Sequence, residues 1–473
     1  MHLIAVSAIE RRQARLWSTM AILVGLVMTS VVLPSDSAVG IFSAAAYGVG
    51  MTLAGAILIE ARNGIRSLIR VDLLLLLVLY GLTLFEFLFS QSDFEGLLSQ
   101  LSPVTAANGT YAVLVAFAGL AIGRHFVPIR ESLRASSVAD LRPPSMFFVF
   151  LVVTFLGYLH ILLAVEFDIP EAIRQMLLPR FSQSWSRGQY GDAAALLYEV
   201  GALIYLIPPM AGLIFARARQ YSPAQKAVVV IVLAFTAFYG FSSGTRSTYV
   251  VYILTFTGIY FITKQQLNLR HVLIFGTIMA ALLFVGIILM FQFRTVGLGE
   301  VSSIGEPGSL IIDMNIVNIS RLTDKFPNVY EYEGLEIPMT ALIRPIPRVL
   351  WPDKPAGLSV PIETALGAGE GLTVSCTYVG EAYMAGGLLA VLTISLLFGA
   401  AAEMWNRVGL SGNQQFNQIL YVSGFLCAAI TMRSMLAMAP LMLPTIALWI
   451  FGKLWLSDTS IPASRSATDR RGR

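Results

Sequence analysis

Apolar runs of roughly 17–25 residues, the length that a bilayer core of about 30 Å demands of a spanning helix, recur along this chain from Trp17 to Trp455. Counted by period and hydropathy, they number about twelve. They fall at 17–33, 39–60, 71–90, 110–127, 145–165, 193–216, 227–241, 248–263, 272–293, 378–402, 416–432 and 435–455. Of the 473 residues, 56% are hydrophobic and only 13% charged, with a mean hydropathy of +0.72. The expected fold is an all-α polytopic integral membrane protein of about twelve transmembrane helices with one large, partly helical periplasmic loop.

The formal charge of +4 does not imply a nucleic-acid partner, because the arginines mostly flank apolar runs, as topology signals do. The larger share of the 32 basic residues falls on one side, including Arg62, Arg66, Arg70, Arg124, Arg130, Arg134, Arg142 and the tail Arg465 to Arg473. Both termini are therefore expected in the cytoplasm. The first run follows "RRQAR" and lacks a small-residue cleavage site, so it is expected to stay as a helix. The organisation expected is a membrane bundle over 1–293, an outer loop over 294–377, further membrane helices over 378–455 and a disordered polar tail over 456–473. Within the loop, "SLIIDMNIVNISRLTDKF" (309–326) reads as an amphipathic helix resting on the outer membrane surface. A second outer segment spans 166–192.

Five arginines depart from the inside bias: Arg246, Arg294, Arg344, Arg348 and Arg433. Each could snorkel to headgroups or pair locally, but five on one face fit a shared anionic ligand, since the guanidinium fork matches phosphate. "SSGTRS" around Arg246 suits a tight turn that donates to an anion. The stretch "RPIPRVLWPDKPAG" (344–357) alternates prolines with charge, so its backbone would hold Arg344, Arg348 and Lys354 with little entropy left to lose. Trp351 offers a stacking surface or an interfacial anchor, and Asp353 pairs with Lys354 or acts as a base. In "YVGEAYMAGG", Glu381 lies near the outer end of a span with Tyr383, either as acid or base or as a structural partner of an arginine. Glu86 and Glu199 also lie inside spans. His160 sits near an outer helix end, as a packing residue or a cavity residue. The two cysteines, Cys376 and Cys427, form no disulfide framework, and no metal-ligand spacing or nucleotide-binding motif occurs.

The block Ile346-Pro347-Arg348-Val349-Leu350-Trp351-Pro352-Asp353-Lys354-Pro355 resembles the iPR-x-lWP-x-KP signature of bacterial oligosaccharide repeat unit polymerases, the Wzy-type O-antigen and capsule polymerases. Gly380-Glu381-Ala382-Tyr383 with Gly386-Gly387 is similar to their G-E-x-Y…G element, Ser243-Gly244-Thr245-Arg246 to an S-G-x-R turn, and Met432-Arg433-Ser434 to a late arginine. The resemblance covers roughly 227–440 and implies a GT-C-like membrane glycosyltransferase of the bacterial inner membrane that needs no metal or cofactor. Its substrates would be undecaprenyl-diphosphate-linked oligosaccharides in the lipid bilayer, with a chain-length regulator as a further partner. Arg246, Arg348 and Arg433 are the expected catalytic cations and Glu381 the expected base. Arg294, Arg344, Lys354, Trp351, Tyr383, Asp353 and His160 are expected to bind substrate. The loop lacks the histidine associated with the related O-antigen ligases. Ligase remains an alternative, as does a secondary transporter or flippase of lipid-linked glycans.

Overall fold

The computed structural model describes residues 8–34, 36–127, 141–179, 182–185, 200–264, parts of 274–297, 313–346, 351–368 apart from 352 and 356, 374–410 and 415–452. All regular structure among them is helical. Six helices are long and apolar enough to cross a membrane: Arg12–Val32, Ala38–Ala61, Pro103–Gly123, Pro143–Ala164, Pro223–Ser242 and Thr377–Val408. The chain is a helical membrane protein. The runs expected at 71–90, 193–216 and 435–455 appear as the shorter apolar helices Val71–Thr83, Ala202–Ala216 and Met435–Phe451. The run expected at 272–293 lies mostly outside the described residues.

In chain order the main helices are α1 (Ala8–Val32), α2 (Ala38–Ala61), α3 (Val71–Thr83), α4 (Pro103–Gly123), α5 (Pro143–Ala164), α6 (Ile169–Met176), α7 (Ile207–Ala216), α8 (Pro223–Ser242), α9 (Arg246–Thr263), α10 (Asn315–Lys325), α11 (Glu336–Ile343), α12 (Thr377–Leu410), α13 (Gln415–Arg433) and α14 (Met435–Phe451). Local signals set several boundaries. The fourth helix starts earlier than the apolar run at 110–127 because Ser102 caps it, accepting from the Thr105 amide, and Pro103 fills the first helical position. Ser222 and Gln225 form a reciprocal capping box ahead of α8.

Helices α4 and α12 pack at backbone contact. A Cβ on Gly123 would lie 2.2 Å from the Leu396 carbonyl oxygen, and one on Gly399 would lie 2.5 Å from that of Leu120. Small residues let helix axes approach in this way inside lipid, where burial of apolar surface no longer drives association. Helix α13 is buried almost throughout, with Gln415, Asn417, Gln418 and Ser423 among its buried residues. It packs against α3, α9, α12 and α14, and a helix enclosed on all sides needs no polar face toward water. The amphipathic segment expected on the outer membrane surface does form a helix, α10, but it is built into the bundle. Its Ile316, Val317, Ile319 and Leu322 are buried, it packs on α4, and the Gly109 Cα side meets Ser320 directly. Asn315 donates to the Leu82 carbonyl and Asn318 to that of Ser375, tying the start of α10 inward.

One end of the bundle holds a buried ion network that joins α1, α2, α3, α4 and α12. Arg15 meets Glu403 at 2.6 Å; Arg70 meets Glu60 at 2.7 Å and also Asp72; Arg124 meets Glu60 at 2.9 Å and Asp72 at 3.3 Å. Asn406 donates to Asp72 and accepts from the Val71 amide and the Tyr421 hydroxyl. Thr19 accepts from the Arg124 guanidinium and also bonds the His125 ring. Because Arg15 lies in the first turns of α1, and Gly452, just past α14, packs on Phe416 at the start of α13, the first and last described helices begin and end at this same end. Removing one partner of a buried ion pair leaves a desolvated charge behind. Arg124→Met is therefore expected to destabilise the folded protein by about 3–5 kcal/mol. Thermal unfolding of the detergent-purified variant checks this, and a melting point within a degree or two of the parent's would contradict it.

Candidate functional site

At the end opposite the ion network, the break between α13 and α14 brings together Glu381, Arg433, Ser434 and Arg344. Ser434 is the cap of α14: its hydroxyl accepts from the Ala437 amide at 3.2 Å. The Glu381 carboxylate, projecting from the first turns of α12, lies across the same helix start. It accepts from the Ser434 hydroxyl, the Met435 amide and, at 3.3 Å, the Leu436 amide. A carboxylate at a helix N-terminus satisfies amides that have no partner within the helix and meets the positive end of the peptide dipoles. Glu381 is 2% exposed, so these donors stand in for the water it has lost.

Arg433 closes α13 one residue before that cap. Its guanidinium donates at 2.6 Å to the hydroxyl of Ser247 in the first turn of α9, next to Arg246. Arg344, at the end of α11, donates at 3.3 Å to the Leu436 carbonyl, the residue whose amide faces Glu381. Arg344 and Arg433 thus reach the break from two helix ends, beside the buried Glu381 carboxylate, and Arg246 opens α9 one residue before the Ser247 that Arg433 bonds. Arg246 and Arg433 are half-buried and Arg344 is exposed. The turn around Arg246 has Gly244 at φ +60°. Its hydroxyls are used inward: Ser242 donates to the Tyr239 carbonyl, Ser243 to that of Gly240 and Thr245 to that of Ser243. That turn therefore fixes the arginine instead of presenting a row of donors.

The helix carrying Glu381 is itself broken. Gly386 and Gly387 leave helical geometry, with φ, ψ of 177°, 37° and 63°, −153°. Such a break frees carbonyls, which at membrane depth must be satisfied by protein. The Glu333 amide donates to the Met384 carbonyl at 3.0 Å and the Gly334 amide to that of Ala385 at 2.9 Å. A Cβ on Gly387 would lie 2.7 Å from the Tyr332 hydroxyl. The outer loop is thereby keyed into the break, and Tyr332 meets the Tyr383 ring edge-on at 6.3 Å. Burial, followed by the charge of Glu336, raises the Glu333 carboxyl above its ordinary value, against the lowering effect of the Val360 amide that it accepts from.

Other expected site residues have more local settings. Lys354 donates to the Arg344 and Ile346 carbonyls at 2.8 and 2.9 Å, closing the loop beyond α11. Trp351 is 37% exposed and Asp353 is exposed. His160 is buried, its Nδ1 2.9 Å from the Gly157 carbonyl, with its ring against Gly201. Facing a carbonyl, that nitrogen carries the proton. Glu86 is buried in a turn after α3, 3.5 Å from the Met314 amide. Arg294, Arg348 and Glu199 lie outside the described residues. Sequence reasoning expected the Ser247 hydroxyl to donate to an anion, whereas here it accepts from Arg433, and it gave Ser434 no role of its own. It also took Arg70 and Arg124 as topology markers alone, although Glu60, Asp72 and Glu403 sit at matching ends of apolar runs.

No family model, no characterised protein and no solved structure matches the chain. The site is defined by its own geometry: a buried carboxylate that organises a helix start, with Arg433 closing the preceding helix and Arg344 bonding the Leu436 carbonyl, at one end of a helical membrane protein. Glu381→Gln would place an amide NH₂ against donors that need an acceptor. It is expected to cost about 1–3 kcal/mol, the price of a buried unsatisfied group, and Glu381→Ala at least as much. Chemical denaturation of the purified variants measures this, and an unchanged Gln variant would remove the anchoring role.

Proposed function

We propose that the chain is a metal-independent membrane glycosyltransferase. It would polymerise undecaprenyl-diphosphate-linked oligosaccharide repeat units into a surface polysaccharide at the periplasmic face of the bacterial inner membrane. The reading includes about twelve spans in a GT-C-like arrangement, with both termini and the ion network on the cytoplasmic side. The observation that supports it best is the approach of Arg344 and Arg433 to the α13–α14 break at the other end, with Arg246 next to the Ser247 that Arg433 bonds, on the helix ends where the resemblance to repeat unit polymerases falls.

Transfer of a growing glycan from its lipid diphosphate breaks the anomeric C–O bond, and negative charge grows on the departing diphosphate. Preorganised cations at that position lower the barrier, and arginines offer forks that match phosphate oxygens. In this reading Arg246 and Arg433, with Arg348, face the diphosphate, and Arg344 flanks them. Glu381 serves first as a positioning residue: by capping α14 it fixes the turn from which Arg433 projects. The acceptor hydroxyl of the fresh repeat unit forms the new glycosidic bond as its proton passes to a base or to water.

A deletion strain distinguishes the reading from its alternatives. Loss of a polymerase leaves a single repeat attached to the cell surface acceptor; loss of a ligase leaves long polymer on the lipid carrier; loss of a flippase strands units inside. A single-repeat profile is expected. In the complemented strain, Arg433→Ala is expected to reduce chain extension on the order of a hundredfold, as loss of one charge-stabilising donor does, at an unchanged level of membrane-inserted protein. Arg433→Lys should recover only part of it, because an ammonium lacks the fork. A normal ladder from Arg433→Ala would take Arg433 out of the mechanism, and long lipid-linked polymer in the deletion strain would refute polymerisation.

A further inference from the structure

A second feature at the same end of the bundle lies apart from the Glu381 cluster. A cavity of about 410 Å³ opens between the start of α4, the last turns of α10 and the one-turn helix Ile362–Ala365. Its size falls in the range of about 300–1,000 Å³ typical of small-ligand clefts, but its lining is not the usual apolar one. Arg321 and Lys325, four residues apart on α10, project on one helix face into the cavity, with Asp324 beside them. Among the described residues no ion pair engages either cation. Across from them stand the Ser102 and Thr105 hydroxyls, 2.8 Å apart, and the Gln100 amide. The buried Leu101 and Ala365 supply apolar surface.

With two cations against the single carboxylate of Asp324, the lining carries a net positive charge that favours an anion. Hydroxyls, an amide and a carboxylate fit a ligand rich in hydroxyl groups, while the two apolar side chains suit the C–H face of a ring. That combination is the chemistry of a sugar bearing a carboxylate. The cavity is also mechanically close to the break. On an adjacent face of the same helix, Leu322 packs against Gly380, one residue before Glu381: a Cβ there would lie 3.1 Å from it.

We propose that this cavity is a second, anion-selective saccharide subsite, which holds an acidic sugar of the glycan while the reacting end lies at the arginine cluster. The assignment of the ligand to a glycan rests on the polymerase reading; the preference for an anionic saccharide rests on the cavity itself. The test uses the full-length protein in lipid nanodiscs, with trigalacturonate as probe, maltotriose as its neutral counterpart and inorganic phosphate as competitor, followed by calorimetry. Trigalacturonate is expected to bind about tenfold or more tighter than maltotriose, and to weaken as salt rises. The Arg321→Gln/Lys325→Gln protein should lose about tenfold or more of that affinity, as expected when charge-assisted bonds are removed, with its melting temperature unchanged. Three results would overturn the proposal: equal affinity for the two trisaccharides, an unaltered affinity in the double variant, or equimolar displacement by phosphate, which would make the cavity a phosphate site. Binding does not require turnover, so failure of these arms leaves the glycan-ladder test standing. Conversely, long lipid-linked polymer in the deletion strain would remove the polymerase and keep the anion site.

Discussion

Three guanidinium groups and three carboxylates, from five helices, meet at one end of this bundle with their charges balanced and almost no access to solvent. Each of these ions would be costly at membrane depth by itself. Together, with Asn406, Tyr421 and Thr19 filling the remaining hydrogen-bond positions, they become a set that holds only if all helices arrive in one register. Glu60 ends α2, Asp72 opens α3, Arg124 ends α4 and Glu403 lies late in α12, so the set fixes which helix ends lie together. The alternation of helix directions then carries the ends of α8 and α13 and the starts of α9, α12 and α14 to the opposite side. Such networks add more to specificity of arrangement than to net stability.

The opposite end is built on a different principle. There the helices are interrupted where they approach one another. Glu381 bonds the start of α14, the Gly386–Gly387 break is filled by the amides of Glu333 and Gly334, and Arg344 and Arg433 reach across helix ends. Broken helices expose backbone groups and dipole ends, which is why membrane proteins place sites at them. A balanced ion cluster at one end locks the scaffold, whereas at the other the helix breaks are held by hydrogen bonds to backbone groups and hydroxyls. The cavity lined by Arg321, Asp324 and Lys325 opens at that same end.

The apolar runs, the proline and glycine punctuation and the capping residues were legible because each acts over a few neighbouring residues. They placed most of the long helices within a few positions, although α4 starts earlier, α3 stops earlier and α12 runs later than the apolar runs, and the described arginines that depart from the inside bias lie at the end of the bundle opposite the ion network. Two kinds of error have a common origin. Helix α10 read as a surface helix because its amphipathic pattern states only that one face is apolar, not whether lipid or α4 covers it. The capping of α14 by Glu381 went unread because nothing in "GEAY" announces that helix start, some fifty residues downstream.

The sequence by itself determined that this chain must be a bundle of membrane helices, that its arginines are unevenly placed and that 344–357 is stiff, because hydropathy, charge and proline geometry are local properties of the chain. Only the tertiary structure decided that Glu60, Asp72, Glu403 and three arginines neutralise one another, that Arg344, Arg433 and Glu381 meet at one helix break, and that Arg321 and Lys325 face a cavity. Those groupings join residues up to about 390 positions apart. They depend on helix register and axial rotation, which packing contacts such as Gly123 on Leu396 set and which no short-range pattern encodes.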